Sequence, residues 1–300
     1  MIVNTSETRI NILGSSCHIT VDNSTGQGDQ LLALATDELS RLEQKFSSFQ
    51  PESIVSSINQ CAGTGSYTPL DAESLSLFNY VSALWTESKH LFDPSTRILE
   101  DCYDDKGRLL ASSDQLQGML KLVGWSRLEM TADGAHLAEK GMLIDLNSCI
   151  RPYAVDSVRK IMLKHDIGHA LIEMDQDMAT IGKRPDGANW LVGVRHPRGL
   201  RTAIARIKLN NRGLSIRGDF ERSVLHQGER FGRALSPVDG QPIPGLLGVA
   251  VLADTCLTAC SAASVARLKT EAAAMQWLES LGYPWFAIDR SMNCHGPLAP

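Results

Sequence analysis

Apolar residues recur along this chain with two distinct periods. Leu31, Leu32, Ala35, Leu39, Leu42 and Phe46 fall at helical spacing with Asp37, Glu38, Arg41 and Lys45 on the other side, which predicts an amphipathic helix over Gln30 to Phe46. Leu75, Phe78, Val81 and Trp85 repeat that pattern over Asp71 to Lys89, where Asp71 can accept from the first free N–H groups. Shorter helical stretches are predicted at Ser53 to Gln60 and Asp114 to Val123, with a last helix over Glu271 to Leu281 that stops at Gly282. Strand-like runs occupy Ile10 to Val21, in two pieces around Gly14, then His169 to Met174, Trp190 to Val194, Ala203 to Leu209, Leu214 to Ile216, Gly245 to Ala253 and Trp285 to Ile288. Asp133-Gly134, Asp186-Gly187 and Asn211 to Gly213 supply turns between them. An α+β fold with a largely antiparallel sheet follows.

Gly141 to Asp156 (GMLIDLNSCIRPYAVD) combines both periods. Met142 to Leu146 reads as a buried strand, while Val155, Val158, Ile161 and Met162 form the inward face of a helix, with Pro152 assigned to its first turn. Such a helix start aims backbone N–H groups past the strand end, a setting suited to an anion or to an ion held by carbonyls. The plainer alternative is a corner in which Asp145 accepts local hydrogen bonds. A second junction lies after Gly245 to Ala253, where Asp254 is assigned the helix cap. Asp254 and Thr258, four residues apart, would set a carboxylate beside a hydroxyl, a half-site for a hard cation; the alternative is a capping Asp and an interior Thr. The Asp93 to Arg97 loop and the Asp175-Gln176-Asp177 strand end carry further polar groups free to line a pocket.

Composition narrows the classes. With 300 residues, 43% hydrophobic and 21% charged, the chain can build a substantial core as a single domain over 1–300, and no repeat, linker or low-complexity tract divides it. A net charge of -5 offers no basic footprint for nucleic acid. No run approaches the roughly 20 apolar residues of a membrane span, and no signal peptide is visible, so a cytoplasmic protein is expected, or a periplasmic one if a leader has been removed. Seven cysteines, odd in number and without a C-x-x-C pair, suit reduced thiols. Cys256 and Cys260 are read as two buried small side chains on consecutive turns, and His165 and His169 as surface residues rather than zinc ligands.

Several short motifs then occur in a fixed order. They are Leu13-Gly14-Ser15, Ser53 to Asn59, Phe92-Asp93-Pro94, Asp145-Leu146 through Tyr153-Ala154-Val155-Asp156, Trp190 to Pro197, Gly218-Asp219-Phe220-Glu221-Arg222, Pro237 with Gly240-Gln241-Pro242, and Ala253-Asp254 through Thr258-Ala259. Through them the sequence resembles the ApbE family, the FAD:protein FMN transferases. The resemblance implies a T-fold-like architecture of two interlocked lobes, with mostly antiparallel sheets flanked by helices and a nucleotide-sized cleft. It also implies a reaction in which FAD is cut at its pyrophosphate and FMN is joined to a Thr or Ser hydroxyl of an acceptor protein, with magnesium. By the same resemblance Asp254, Thr258 and the Ser148 carbonyl would hold Mg2+, while Gly14, Ser15, Asp93, Asp145, Asn147, Arg151, Asp177, Gly218 and Asp219 would border the FAD.

The departures fall at the site. The family's Gly-Gly-Ile-Ala-Lys-Gly is here Asn147 to Pro152, its second Gly-Gly is Asp175-Gln176, its Thr-Ser is Ile216-Arg217, and Arg233 stands where the family has the His of its presumed base. Side chains in place of glycine take up volume at the closest approach, Asp175 would repel a pyrophosphate unless paired, and a guanidinium can clamp phosphate but stays protonated. Two functions are therefore carried forward. One is an FMN transferase, retained or altered; the other is an inactive relative that binds flavin, another nucleotide or a protein partner.

Overall fold

A computed structural model describes residues 4–104, 108–199, 202–218, 223–226, 229–232 and 234–300. The chain opens with the hairpin β1 (Thr5–Ile12) and β2 (Ser15–Asp22), turned tightly by Leu13 and Gly14 at φ values of 53° and 67°. α1 (Gly28–Phe46) buries the stripe predicted for it, from Leu31 to Phe46. α2 (Ile54–Gln60) and α3 (Ala72–Glu87) begin at Ser53 and Asp71, whose side chains accept from the backbone N–H three residues on. A 3-10 helix, Pro94–Cys102, is capped by Asp93, whose side chain accepts from the Ser95 N–H two residues on. α4 (Ser113–Leu120) starts on a reciprocal Ser112/Gln115 capping box, and β3 (Leu128–Thr131) pairs with β4 (Gly134–Leu137) around the predicted turn.

After α5 (Asn147–Lys164) the chain is mostly strands. They are β5 (Ala170–Met174), β6 (Asp177–Ile181), β7 (Trp190–Arg195), β8 (Ala203–Leu209), β9 (Gly213–Gly218), β10 (Ser223–His226), β11 (Glu229–Gly232) and β12 (Gly248–Ala253). α6 (Cys256–Arg267) and α7 (Glu271–Ser280) follow, then β13 (Trp285–Ile288) and β14 (Cys294–His295). Eight strands form one sheet in the order β1-β2-β5-β6-β9-β12-β13-β14, with every neighbouring pair antiparallel. The mixed helix and antiparallel-sheet architecture is the one the sequence predicted. Among the described residues no helix is long and apolar enough to cross a membrane.

Strand alternation divides the core between the two faces of this sheet. Met178, Leu214, Ile216 and Ala250 point to one face, where Val194, Ala205, Ile207 and Leu209 of the β7–β8 hairpin cover them. Ile172, Ala179 and Ile181 point to the other face and pack with α1 and α5, while Val249 and Val251 meet α6 and α7. β6 and β9 therefore present Asp177, Ser215 and Arg217 toward α5 and α6, in the same alternation that buries their apolar neighbours opposite.

Three local expectations need correction. Met142 to Leu146 is extended but joins no ladder, because Asn59 takes the place of a neighbouring strand: its amide donates to the Ile144 carbonyl at 2.9 Å and its oxygen accepts the Ile144 N–H at 2.8 Å. Pro152 lies inside α5 rather than in its first turn, since the helix already begins at Asn147. Asp254 does not cap α6. Thr255 does, and the buried Asp156 of α5 accepts the Cys256 and Leu257 N–H groups at 2.8 Å each.

A polar network ties α1, α3 and α5 together at the surface. Glu73 receives Arg41 at 2.8 Å, Lys45 at 2.6 Å and the Tyr153 hydroxyl at 2.9 Å. The Arg41 hydrogen bonds, helped by Lys45 and Tyr153 and opposed by burial, hold Glu73 down to about 2, below its ordinary 4.5. A carboxyl depressed on folding adds stability that is present above its unfolded value and fades as the pH falls through the folded one. Glu73→Gln is expected to cost about 1 kcal/mol or less near neutral pH, given that the group is partly exposed. Urea unfolding as a function of pH should show that difference shrinking between pH 4.5 and about 2; a difference that persists at the acid end would mean the carboxylate charge is not the source.

Candidate functional site

A cavity of about 730 Å3 opens where the β1–β2 turn, the start of the 3-10 helix, the N-terminus of α5, the β5–β6 turn, the end of β9 and the last turns of α6 meet. Of the residues predicted to border a ligand, Gly14, Asp93, Asp145, Asn147, Arg151, Asp177 and Gly218 line it, and so does Ser148. Ser15 is buried beneath the turn instead, its hydroxyl without a hydrogen-bond partner. Asp219 and Arg233 lie outside the described residues. Thr96 and Arg97 of the loop predicted to line a pocket face it as well, while sequence reasoning missed Phe49, Ser264 and Arg267.

Two of the predicted carboxylates are committed to holding backbone. Asp145 accepts the Asn147 N–H at 2.7 Å, the Asn147 amide at 3.0 Å and the Ser48 hydroxyl at 2.8 Å, so it fixes the corner ahead of α5. Asp93 accepts from Ser95 with one oxygen and from the Trp125 N–H at 2.9 Å with the other. Arg151 differs from both. Its Nε donates to the Leu13 carbonyl at 3.0 Å, and a Cβ built on Gly14 would stand 3.4 Å from its Nη2, so glycine lets the guanidinium lie across the hairpin turn. Among the described residues Arg151 has no carboxylate partner and keeps its other donors for the cavity.

At the back of the cavity the sheet supplies a buried ion pair. Asp177 and Ser215 are direct cross-strand partners on β6 and β9, and Arg217 is two residues further along the same face, the diagonal position that long side chains reach. The Ser215 hydroxyl donates to Asp177 at 2.7 Å, and Arg217 Nη2 lies 2.8 and 2.7 Å from the two Asp177 oxygens. Burial, the largest single influence, would lower the Arg217 value, but the Asp177 charge and hydrogen bond together with the neighbouring cysteines more than offset it, and the guanidinium is held above its ordinary range. Arg217 also touches Cys260 Sγ at 2.8 Å. Burial raises the Cys260 thiol despite that neighbouring charge, and the retained S–H donates to the Ser148 carbonyl at 3.1 Å. Pro152 explains why that carbonyl is open: four residues on in α5, it has no N–H to give.

The structure does not bring Asp254 and Thr258 to this place. The Asp254 side chain is 83% exposed and paired with Arg212, its carbonyl accepts from Arg159 at 2.7 Å, and the Thr258 hydroxyl bonds to Thr255 at 2.8 Å. Neither residue lines the cavity. Asp156, which anchors this end of α6, is eight residues along α5 from Ser148, about 12 Å at the helical rise. The pair spaced one turn apart that does reach Ser148 is Cys260 with Ser264, whose Sγ and Oγ are 3.7 Å apart. A thiol, a hydroxyl and a guanidinium do not fit magnesium, a hard ion that takes oxygen ligands and carboxylates. No cluster of three His, Cys, Asp or Glu suited to a metal occurs among the described residues.

The sequence pattern of the ApbE family matches residues 13–286. The FAD:protein FMN transferase of Haemophilus influenzae is 30% identical over 119 residues, which are 39% of this chain and 34% of that protein. The FAD:protein FMN transferase of Klebsiella pneumoniae is 26% identical over 117 residues, again 39% of this chain and 35% of the relative. The matched stretch thus spans about a third of the length of these curated relatives. In three dimensions the crystal structure of the ApbE protein of Thermotoga maritima MSB8 superimposes with a TM-score of 0.86 at 23% identity, covering 98% of this chain and 97% of that one. The apo flavinyl transferase ApbE of Pseudomonas stutzeri gives 0.84 at 23% identity, covering 98% and 94%. These likenesses establish the fold.

Asp156 is the point at which α6 is held to α5, and so holds the wall of the cavity. Asp156→Ala would leave the first N–H groups of α6 without their acceptor and is expected to cost about 2–3 kcal/mol in urea unfolding. Asp156→Asn, which keeps one acceptor oxygen, should lose less; equal losses from the two variants would show that the hydrogen bonds are not what is being removed.

Proposed function

Because this chain belongs to the ApbE family, we propose that it binds FAD in the cavity and transfers the FMN half to a Thr or Ser hydroxyl of an acceptor protein. The observation that carries this reading is Arg151. It is a cation without a carboxylate partner among the described residues, set at the N-terminus of a long helix in a cavity of about 730 Å3. That volume lies within the usual span of small-molecule sites. A guanidinium recognises phosphate oxygens through paired N–H groups, and the first turn of α5 adds the favourable end of its dipole. Phe49, 69% exposed on the cavity lining, offers an apolar face for a planar ring.

In the transfer the acceptor oxygen forms a bond to the FMN phosphorus, the bridging P–O bond breaks, and AMP departs with the electron pair. The acceptor hydroxyl must lose its proton to a nearby base. Asp93, Asp145 and Asp177 are engaged in hydrogen bonds, whereas the Asp175 carboxylate has no such partner among the described residues and lines the same cavity. Asp175 is accordingly assigned the proton. A second reading, flavin binding without turnover, is favoured by a different observation: the arginine at 233 where the resemblance has its base.

Arg151→Ala should weaken FAD binding by roughly tenfold or more, as expected for loss of a charged hydrogen bond. Flavin fluorescence titration measures this directly. Incubation with FAD, Mg2+ and a Thr-containing acceptor peptide is expected to release AMP and leave FMN on the peptide, and Asp175→Asn should slow release without weakening FAD binding, since it also removes a charge that repels the pyrophosphate. FAD binding with no AMP would select the second reading. No FAD binding at all would overturn both.

A further inference from the structure

The corner between β9, α6 and α5 already contains a cation. The Arg217 guanidinium lies against both oxygens of Asp177 and 2.8 Å from Cys260 Sγ, and that sulfur in turn reaches the Ser148 carbonyl at 3.1 Å. The Ser148 carbonyl is the one to which the family resemblance assigns the ion. We propose that Arg217 is the resident cation of this cavity, taking the place of a divalent metal, and that the chain binds a nucleotide diphosphate without one. The exclusion of metal stands apart from the flavin reading; the diphosphate half rests on it.

Three features support the assignment. First, the side chains that the structure sets at Ser148 are of the wrong kind: the sulfur of Cys260 lies 3.1 Å from the carbonyl, and the hydroxyl of Ser264 lies 3.7 Å from that sulfur. A hard divalent ion needs carboxylate oxygen to offset the loss of its water. Second, the carboxylate beside Arg217 and Cys260, Asp177, is only 4% accessible and is already taken by Ser215 and by Arg217. A metal entering here would meet a fixed positive charge in a site shielded from solvent, where repulsion is strongest. Third, Arg217 is not sealed off. Its side chain is 24% accessible, it lines the cavity, and its Nη1 donates only to the Ile216 carbonyl at 2.9 Å. Its Nε–H and a second Nη1–H have no protein partner among the described residues, so the guanidinium retains donors for phosphate oxygen.

The test uses manganese as the metal probe and the full chain without flavin. Paramagnetic resonance of free Mn2+ should show no saturable site in the wild-type protein at micromolar concentrations. Cys260→Asp combined with Arg217→Ser, which supplies a carboxylate and removes the guanidinium, should create one. FAD affinity should agree within about twofold between excess EDTA and excess Mg2+, a difference under half a kcal/mol. A stoichiometric micromolar Mn2+ site in the wild type, or FAD binding tightened tenfold by Mg2+, would overturn the proposal. The wild-type Mn2+ titration decides it even if the double variant fails to fold. Absence of FAD binding in both buffers would remove the flavin reading while leaving the metal exclusion to the Mn2+ result.

Discussion

The cavity depends on one buried contact, the Asp177–Arg217 ion pair seated between the central strands and α6. Withdrawing two charges from water carries a large desolvation penalty, which mutual attraction repays only when geometry is good and the remaining hydrogen-bonding capacity is used. Asp177 meets both conditions, since the Ser215 hydroxyl takes one of its oxygens and the guanidinium takes both, whereas Arg217 keeps donors facing the cavity. Such a pair contributes orientation more than net stability. Because it occupies a cross-strand position fixed by the β6–β9 register, the charge at the back of the cavity cannot shift without moving the sheet.

Much of the scaffold was legible because burial sets its periods. The stripes on α1 and α3, the strand over Gly248–Ala253 and the long helix after Asp145 follow from spacing alone and were found within a few residues of their predicted ends, while the two strand pieces read around Gly14 are the arms of a hairpin that starts earlier, at Thr5. What was hidden depends on partners distant in sequence. Met142 to Leu146 has the composition of a strand, but both backbone groups of its central Ile144 bond to the Asn59 side chain, 85 residues away. Asp254 has the composition of a cap, yet Thr255 and the non-local Asp156 provide that service.

The site was less legible than the frame, for a related reason. Asp254 and Thr258 have the right chemistry and spacing for a cation, but the helix meets Ser148 six residues later, at Cys260, so chemistry and position come apart. Periodicity reports which face of a helix is buried; it does not report which turn meets a given neighbour. Arg217 was visible as a departure from a familiar motif, and its partner Asp177 as a polar strand end, but only the sheet register joins them. The fold persists at low identity, which speaks for the scaffold and not for the groups that face the cavity.

The strand order also has a consequence for how the cavity comes into being. β2 pairs with β5, so Cys17 sits opposite Met174, and β9 pairs with β12, while the walls draw on residues from Gly14 to Leu268. Contacts of such separation close late, since long loops must be brought together before any reward is gained. During synthesis the chain therefore has no enclosed pocket until α6 has been made and docked. The cavity is thus a property of the finished molecule, and its early filling is precluded by topology rather than by a dedicated gate.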